Sequence, residues 1–250
     1  MSIKQVLESN IFPDTLQQVS VTVFPGIRFA AILLKIETCC HSAYHDEGLS
    51  LWLSPRERKQ FAAYTFAKRK SEWLAGRISA KLAAASVTDT EEKLDYSTLE
   101  IANQPGGRPY IHFLHVPPYH SEKLDISISH SSTLAAALAA DHYCGIDVQV
   151  CRKTLLRVRE RFCLKSEALI LESFFPDSPE ESSLNILWSA KEALRKALSY
   201  QGVPEFLQII LKRIESDTME CFSLHFSCQG RSIRVACGRH NDFALALCML

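Results

Sequence analysis

The stretch Thr133–Val150, "TLAAALAADHYCGIDVQV", holds two apolar runs separated by polar residues that include Asp141, just before Gly145. The first run is rich in alanine, whose intrinsic propensity equally allows a helix. The second alternates: Ile146, Val148 and Val150 face one way, and Asp147 and Gln149 the other. Taken together, the segment is expected to form a β-hairpin turning at Asp141 and Gly145. Asp147 and Gln149 then offer a carboxylate and an amide oxygen on one strand face, a donor type suited to a hard cation. The same alternation also fits a strand with one solvated face.

On the N-terminal side, "VTVFPGIRFAAILLK" (21–35) suggests strands around a Pro-Gly turn. Phe66 to Ala85 form the longest helical pattern, and strand signals recur near Leu99, Tyr110 and Ile126. On the C-terminal side, "LRVRERFCLKSEALILESF" suggests two helices broken near Cys163, with Ser166 as cap of the second. A further helix follows, and three strands are expected to close the chain. This order predicts an α+β protein in two halves, 1–141 and 142–250. No internal repeat is evident along the chain.

Composition narrows the function. The 250 residues are 47% hydrophobic, enough for one sizeable core or two small ones, and 28 basic side chains balance 28 acidic ones. A neutral protein lacks the excess positive charge that a general nucleic-acid or membrane binder needs, so any basic site is local. Nine cysteines without a CxxC pair match neither a disulfide framework nor a structural zinc site. The N-terminal "MSIKQVLESNIFPD" lacks the features of a signal peptide, and a cytoplasmic location is expected.

Two helical segments concentrate charge. In "LWSAKEALRKAL" (187–198), Leu187, Ala190, Ala193, Leu194, Ala197 and Leu198 share a face, while Glu192 and Lys196 point away from it. A solvated Glu-to-Lys pair explains such a pattern by itself. Trp188 lies between the faces, where it is able to wall a pocket. In the long helix, Lys70, Arg77 and Lys81 fall on one stripe, a local excess suited to phosphate groups or to an exposed basic face. His130, among the hydroxyls of "ISISHSS", and the turn "GGRPYI" have structural explanations of their own. His41 and His45, four apart, have no third ligand at a telling distance.

In this order, "KRKSEWLAGR", "GGRPYI", "SISHS", "GIDVQ" and "WSAKEALRK" resemble the Sfp-type 4'-phosphopantetheinyl transferases from about Ser54 to Tyr200. The form of the first motif is most similar to the branch associated with siderophore synthesis. The resemblance implies two similar α/β halves related by a pseudo-twofold axis, with the active site in the cleft between them. It implies transfer of the phosphopantetheine arm of coenzyme A to a serine of an apo acyl or peptidyl carrier protein, with Mg2+ required and 3',5'-ADP released. It also implies a monomer.

Carried over by motif, the resemblance makes Asp147 and Glu192 metal ligands. Gln149 stands where the commonest pattern has a second acid. Lys191 and Lys196 are expected on the pyrophosphate, and Arg69, Arg77 and Lys81 on other phosphates of coenzyme A. His130 is placed beside the 3'-phosphate, and the segment containing Arg108 and Pro109 near the adenine. Glu192 is the expected base for the serine hydroxyl. The carrier is expected along Arg157 to Leu171, where cationic and apolar groups mix. The competing expectation is a catalytically disabled module, altered at Gln149, that only binds carrier protein or coenzyme A.

Overall fold

The computed structural model describes residues 9–43, 46–88, 95–114 and 124–250. They form two compact units: Arg28–Tyr143 with residues 9–12, and Cys144–Leu250 with Pro13–Ile27. Thr133–Val150 is indeed two strands, β5 (Leu134–Ala140) and β6 (Cys144–Val150), but they do not pair. Each enters a different sheet, so the expected hairpin is replaced by the passage from one unit to the next. Turn residues show where a chain reverses or leaves a strand; the partner of each strand is fixed by long-range packing.

In the first unit, β5 is the centre of an antiparallel sheet between β1 (Phe29–Lys35) and β4 (Asp125–Ser131). All seven residues of β5 are buried, which explains why small alanines occupy a strand. The long helix Ala67–Val87 lies on this sheet through Leu74, Ile78 and Leu82, which meet Ile32, Leu34, Ala135 and Ala137. It is buried almost continuously from Glu72 to Ala84, so the expected basic stripe is not an exposed face. Pro55–Ala63 is started by Pro55 at its first position and by reciprocal bonds between Ser54 and Glu57. β2 (Leu99–Asn103) and β3 (Pro109–Phe113) make a separate antiparallel pair.

The second unit is a five-stranded antiparallel sheet, ordered β6, β10 (Phe243–Met249), β9 (Arg231–His240), β8 (Cys221–Cys228) and β7 (Ile210–Ser216). Four strands therefore close the chain, one more than expected. Helix Glu180–Leu198 covers one face, its Ala190, Ala193, Leu194 and Ala197 packing with Leu224, Val235, Ala246 and Cys248. On the other face, helix Asp14–Val23 rests on β8 and β9, and Leu16 reaches the space above Gly238. That helix contains the Val21-Thr22-Val23 segment expected as a strand. Its buried positions, Leu16, Val19, Ser20 and Val23, follow the helical period, and this packing outweighs β-branched propensity.

Between β6 and the long helix, the unit has Thr154–Val158 and Lys165–Phe174. Ser166 is inside the first turn of the latter rather than at its cap; Glu167 accepts the Leu164 N–H at 2.8 Å instead. Among the described residues, no helix is long and apolar enough to cross a membrane. All nine cysteines are free; burial pushes the Cys39 thiol up to about 12 and that of Cys163 up to about 11.

Candidate active site

The site begins at Gly145. A Cβ on this residue would lie 1.9 Å from the Ala193 carbonyl oxygen and 2.7 Å from the Ala197 nitrogen. Only glycine lets the backbone of helix Glu180–Leu198 lie directly on β6. Two residues later in the strand, Asp147 is brought against that helix: its Oδ1 accepts a hydrogen bond from Lys196 Nζ at 2.8 Å. The same ammonium donates to the Ile146 carbonyl at 2.8 Å. The glycine and aspartate of "GID" therefore act together, one admitting the helix and the other meeting its charged face.

The Asp147 side chain is 8% exposed and that of Lys196 28%. Glu192, one turn before Lys196, is 23% exposed and accepts from Arg195 at 3.2 Å. Burial, and then the negative charge of Asp147, raise the pKa of Glu192, while Lys196 and Arg195 oppose the rise. Two carboxylates within one another's field, with a lysine beside them, suit a divalent cation and phosphate oxygens. Gln149 follows on the same strand face, half-buried, its backbone carbonyl accepting from Asn185 Nδ2 at 3.0 Å. Among the described residues, no group of three or more His, Cys, Asp or Glu side chains is placed to hold a metal. The oxygen donors here are two carboxylates and an amide, a set that fits Mg2+, which keeps several waters in its shell.

Lys191 does not join this group. Its side chain is fully buried, and Nζ donates to the Phe162 carbonyl at 2.7 Å, to Glu167 Oε2 at 2.9 Å and to the Phe206 carbonyl at 3.2 Å. An ammonium has three protons, and all three are engaged inside the fold, so the expected contact with pyrophosphate is corrected to a structural role. Glu167 is tied in turn to the backbone N–H groups of Leu164 and Leu211. Trp188, one turn earlier, stacks on Phe206 at 4.7 Å and meets Phe162 edge-on at 5.0 Å. It is a packing residue rather than a pocket wall.

The first unit repeats this bracket. Lys81 is also fully buried and donates to the Trp52 carbonyl, to Glu57 Oε2 and to the Tyr96 carbonyl. Glu57 accepts from Ser54 N and Ile101 N. The lysine-to-acceptor separations of 29, 24 and 15 residues are the same in both units. Lys81 is therefore also corrected from phosphate ligand to fold support. The sequence signal was present: Ser79-Ala80-Lys81 and Ser189-Ala190-Lys191 are identical triplets, each following a glutamate 24 residues before its lysine. The repetition missed in the sequence is one of spaced partners, with little identity between them.

The other first-unit residues divide. Arg77, 8% exposed, lies 4.9 Å from the Trp73 ring and 3.9 Å from Glu57 Oε1, and its buried Nε has no hydrogen-bond partner. It lines a pocket of about 350 Å³ with Arg56, Gln60 and Asn103. Arg69 is exposed. His130 is exposed on β4, its Nδ1 3.8 Å from Glu72 Oε1. Arg108 is largely buried, bonded to Asp125 through two nitrogens and set over the Tyr143 ring; Pro109 begins β3. His41 lies in Ile36–Ala43, whereas His45 falls outside the described residues.

Comparison with known proteins places this arrangement. A family described as ACPS, the 4'-phosphopantetheinyl transferase superfamily, matches residues 143–248. A holo-[acyl-carrier-protein] synthase of Leuconostoc mesenteroides is 38% identical over 85 residues, covering 33% of this chain and 59% of that protein. One from Anoxybacillus flavithermus is 39% identical over 72 residues, covering 28% and 57%. The chain thus spans less than two thirds of the length of these two relatives. A Listeria monocytogenes holo-[acyl-carrier-protein] synthase is 37% identical over 87 residues, and there the match spans 34% of this chain and 70% of the relative. Among solved structures, the ACPS-CoA complex of Chronobacterium ammoniagenes covers 46% of this chain and 96% of that one, at 21% identity and a TM-score of 0.39. On the shared sequence, the chain belongs to the 4'-phosphopantetheinyl transferase superfamily.

Proposed function

We propose that the protein transfers the 4'-phosphopantetheine arm of coenzyme A to a serine hydroxyl of an apo acyl or peptidyl carrier protein, releasing 3',5'-ADP. The observation that carries this reading is the gathering of Asp147, Glu192 and Lys196 where helix Glu180–Leu198 crosses β6. Mg2+ would be held by Asp147 and Glu192, with Gln149 beside them, and would supply positive charge to the phosphoryl oxygens. Lys196, partly exposed, neutralises the pyrophosphate. Glu192 takes the proton of the carrier serine; its burial and the charge of Asp147 give it a greater proton affinity than a surface glutamate.

Arg77 is the first-unit residue best suited to a phosphate of coenzyme A, because its buried guanidinium lines a pocket with an Nε still lacking a partner. Arg69 and His130, both exposed, are free of the burial that removes Lys81 from this role. Carrier docking along Arg157 to Leu171 is supported by exposed Arg157, Arg161, Leu156 and Leu169, the last 66% exposed. The same lysine bracket in both units of one chain supports the longer Sfp-type branch and a monomer that acts alone in the cytoplasm.

The test is intact-mass measurement of several apo carrier proteins after incubation with the purified protein, coenzyme A and Mg2+, with Glu192→Ala as control. A phosphopantetheine mass increase that the variant abolishes is expected. Coenzyme A binding without a mass increase on any carrier would favour the disabled module, the reading that Gln149 suggests.

A further inference from the structure

Arg195 has no part in the transfer chemistry described above, yet it is the most elaborately held side chain beside Glu192. Its Nε donates to the Pro204 carbonyl at 2.9 Å, its guanidinium lies 4.1 Å from the centre of the Phe206 ring, and its NH1 donates to Glu192 Oε1 at 3.2 Å. Phe206 is itself stacked on Trp188 at 4.7 Å, and its carbonyl accepts from the buried ammonium of Lys191. The segment carrying Pro204 and Phe206 thus grips three successive turns of the helix, at Trp188, Lys191 and Arg195. Glu192 lies between this gripped face and the side on which Lys196 meets Asp147.

A carboxylate on a flexible side chain samples several rotamers, and one exposed to about a quarter of its extent is not fixed by packing alone. The Arg195 fork supplies the missing constraint, because its nitrogens are rigidly related to one another and one of them is anchored on backbone. We propose that Arg195 is a positioning residue that fixes the Glu192 carboxylate toward Asp147 without touching substrate. The inference rests on the transfer reading for its effect on rate, although the contact itself does not depend on that reading.

The experiment has two arms, both on the full chain. In the first, Arg195→Met and Arg195→Lys are assayed with coenzyme A, Mg2+ and an apo carrier protein. Arg195→Met is expected to lower kcat about 10–100-fold while the KM for coenzyme A stays within about twofold. Arg195→Lys keeps the charge but loses the planar fork, and is expected to recover only part of the loss. A raised coenzyme A KM at unchanged kcat would place Arg195 on the substrate and overturn the proposal, as would wild-type kinetics in Arg195→Met.

In the second arm, melting temperatures are measured for Arg195→Met and Glu192→Ala, singly and together. The loss caused by Arg195→Met is expected to shrink when Glu192 is already alanine, since the two then no longer share a contact. Equal losses in both backgrounds would overturn the proposal. If the wild-type protein modifies no carrier while the melts remain coupled, the transfer reading fails and the Arg195–Glu192 unit stands.

Discussion

Lys191 and Lys196 sit five residues apart on one helix and have opposite fates. Lys196 reaches the edge of β6 and pairs with Asp147, whereas Lys191 points into the interior, where Glu167 and two carbonyls consume its protons. Burial lowers the pKa of Lys191, and Glu167 opposes that shift, so the ammonium depends on its partner. Removing one member leaves the other charge unpaired inside the protein. Lys191→Met is therefore expected to cost about 3–5 kcal/mol of stability by urea denaturation, and Lys191→Met combined with Glu167→Gln markedly less. If the two losses were simply additive, the bracket would not be a coupled pair. The residue types at the site were legible in the sequence: Asp147, Glu192 and Lys196 stand as the motifs imply. Burial was not, since nothing local distinguishes Lys191 from Lys196; the distinguishing group, Glu167, is 24 residues away.

The crossing of helix Glu180–Leu198 over β6 is the element contact on which the site depends. Because the atoms that would meet a Cβ at Gly145 are backbone, no side-chain rotation relieves the clash. Gly145→Ala is expected to destabilise the protein by at least about 1–3 kcal/mol in denaturant titration, and to separate Asp147 from Lys196. A variant as stable as wild type would show that the helix does not rest on the strand in this way. The elements themselves were partly legible. The long helix near Phe66 to Ala85 and the strands around Leu99, Tyr110 and Ile126 were read correctly from periodicity. The pairing of β5 and β6 was misjudged because adjacency along the chain favours a hairpin, whereas β5 needs two neighbours to bury every alanine it carries. The helix at Asp14–Val23 was hidden by its valines, whose burial follows a period set by β8 and β9.

Over the whole molecule, one device is used twice: a buried lysine held by a glutamate and two carbonyls, its partners at the same separations in each unit. Only the second copy carries the carboxylate chemistry. The residue after Lys81 is Leu82 and the residue after Lys191 is Glu192; five residues on, Ser86 in the first helix corresponds to Lys196 in the second. The family match falls on that second unit. The α+β class was legible from the order of elements, while the repetition was not, because it lies in contacts rather than in runs of identity. The most direct test of the account is Mn2+ binding, followed by electron paramagnetic resonance with coenzyme A present, in the wild-type protein, Asp147→Asn and Glu192→Gln. Each substitution is predicted to weaken Mn2+ binding by at least about tenfold. Binding unchanged in both variants would contradict the assignment of Asp147 and Glu192 as the groups that hold the metal.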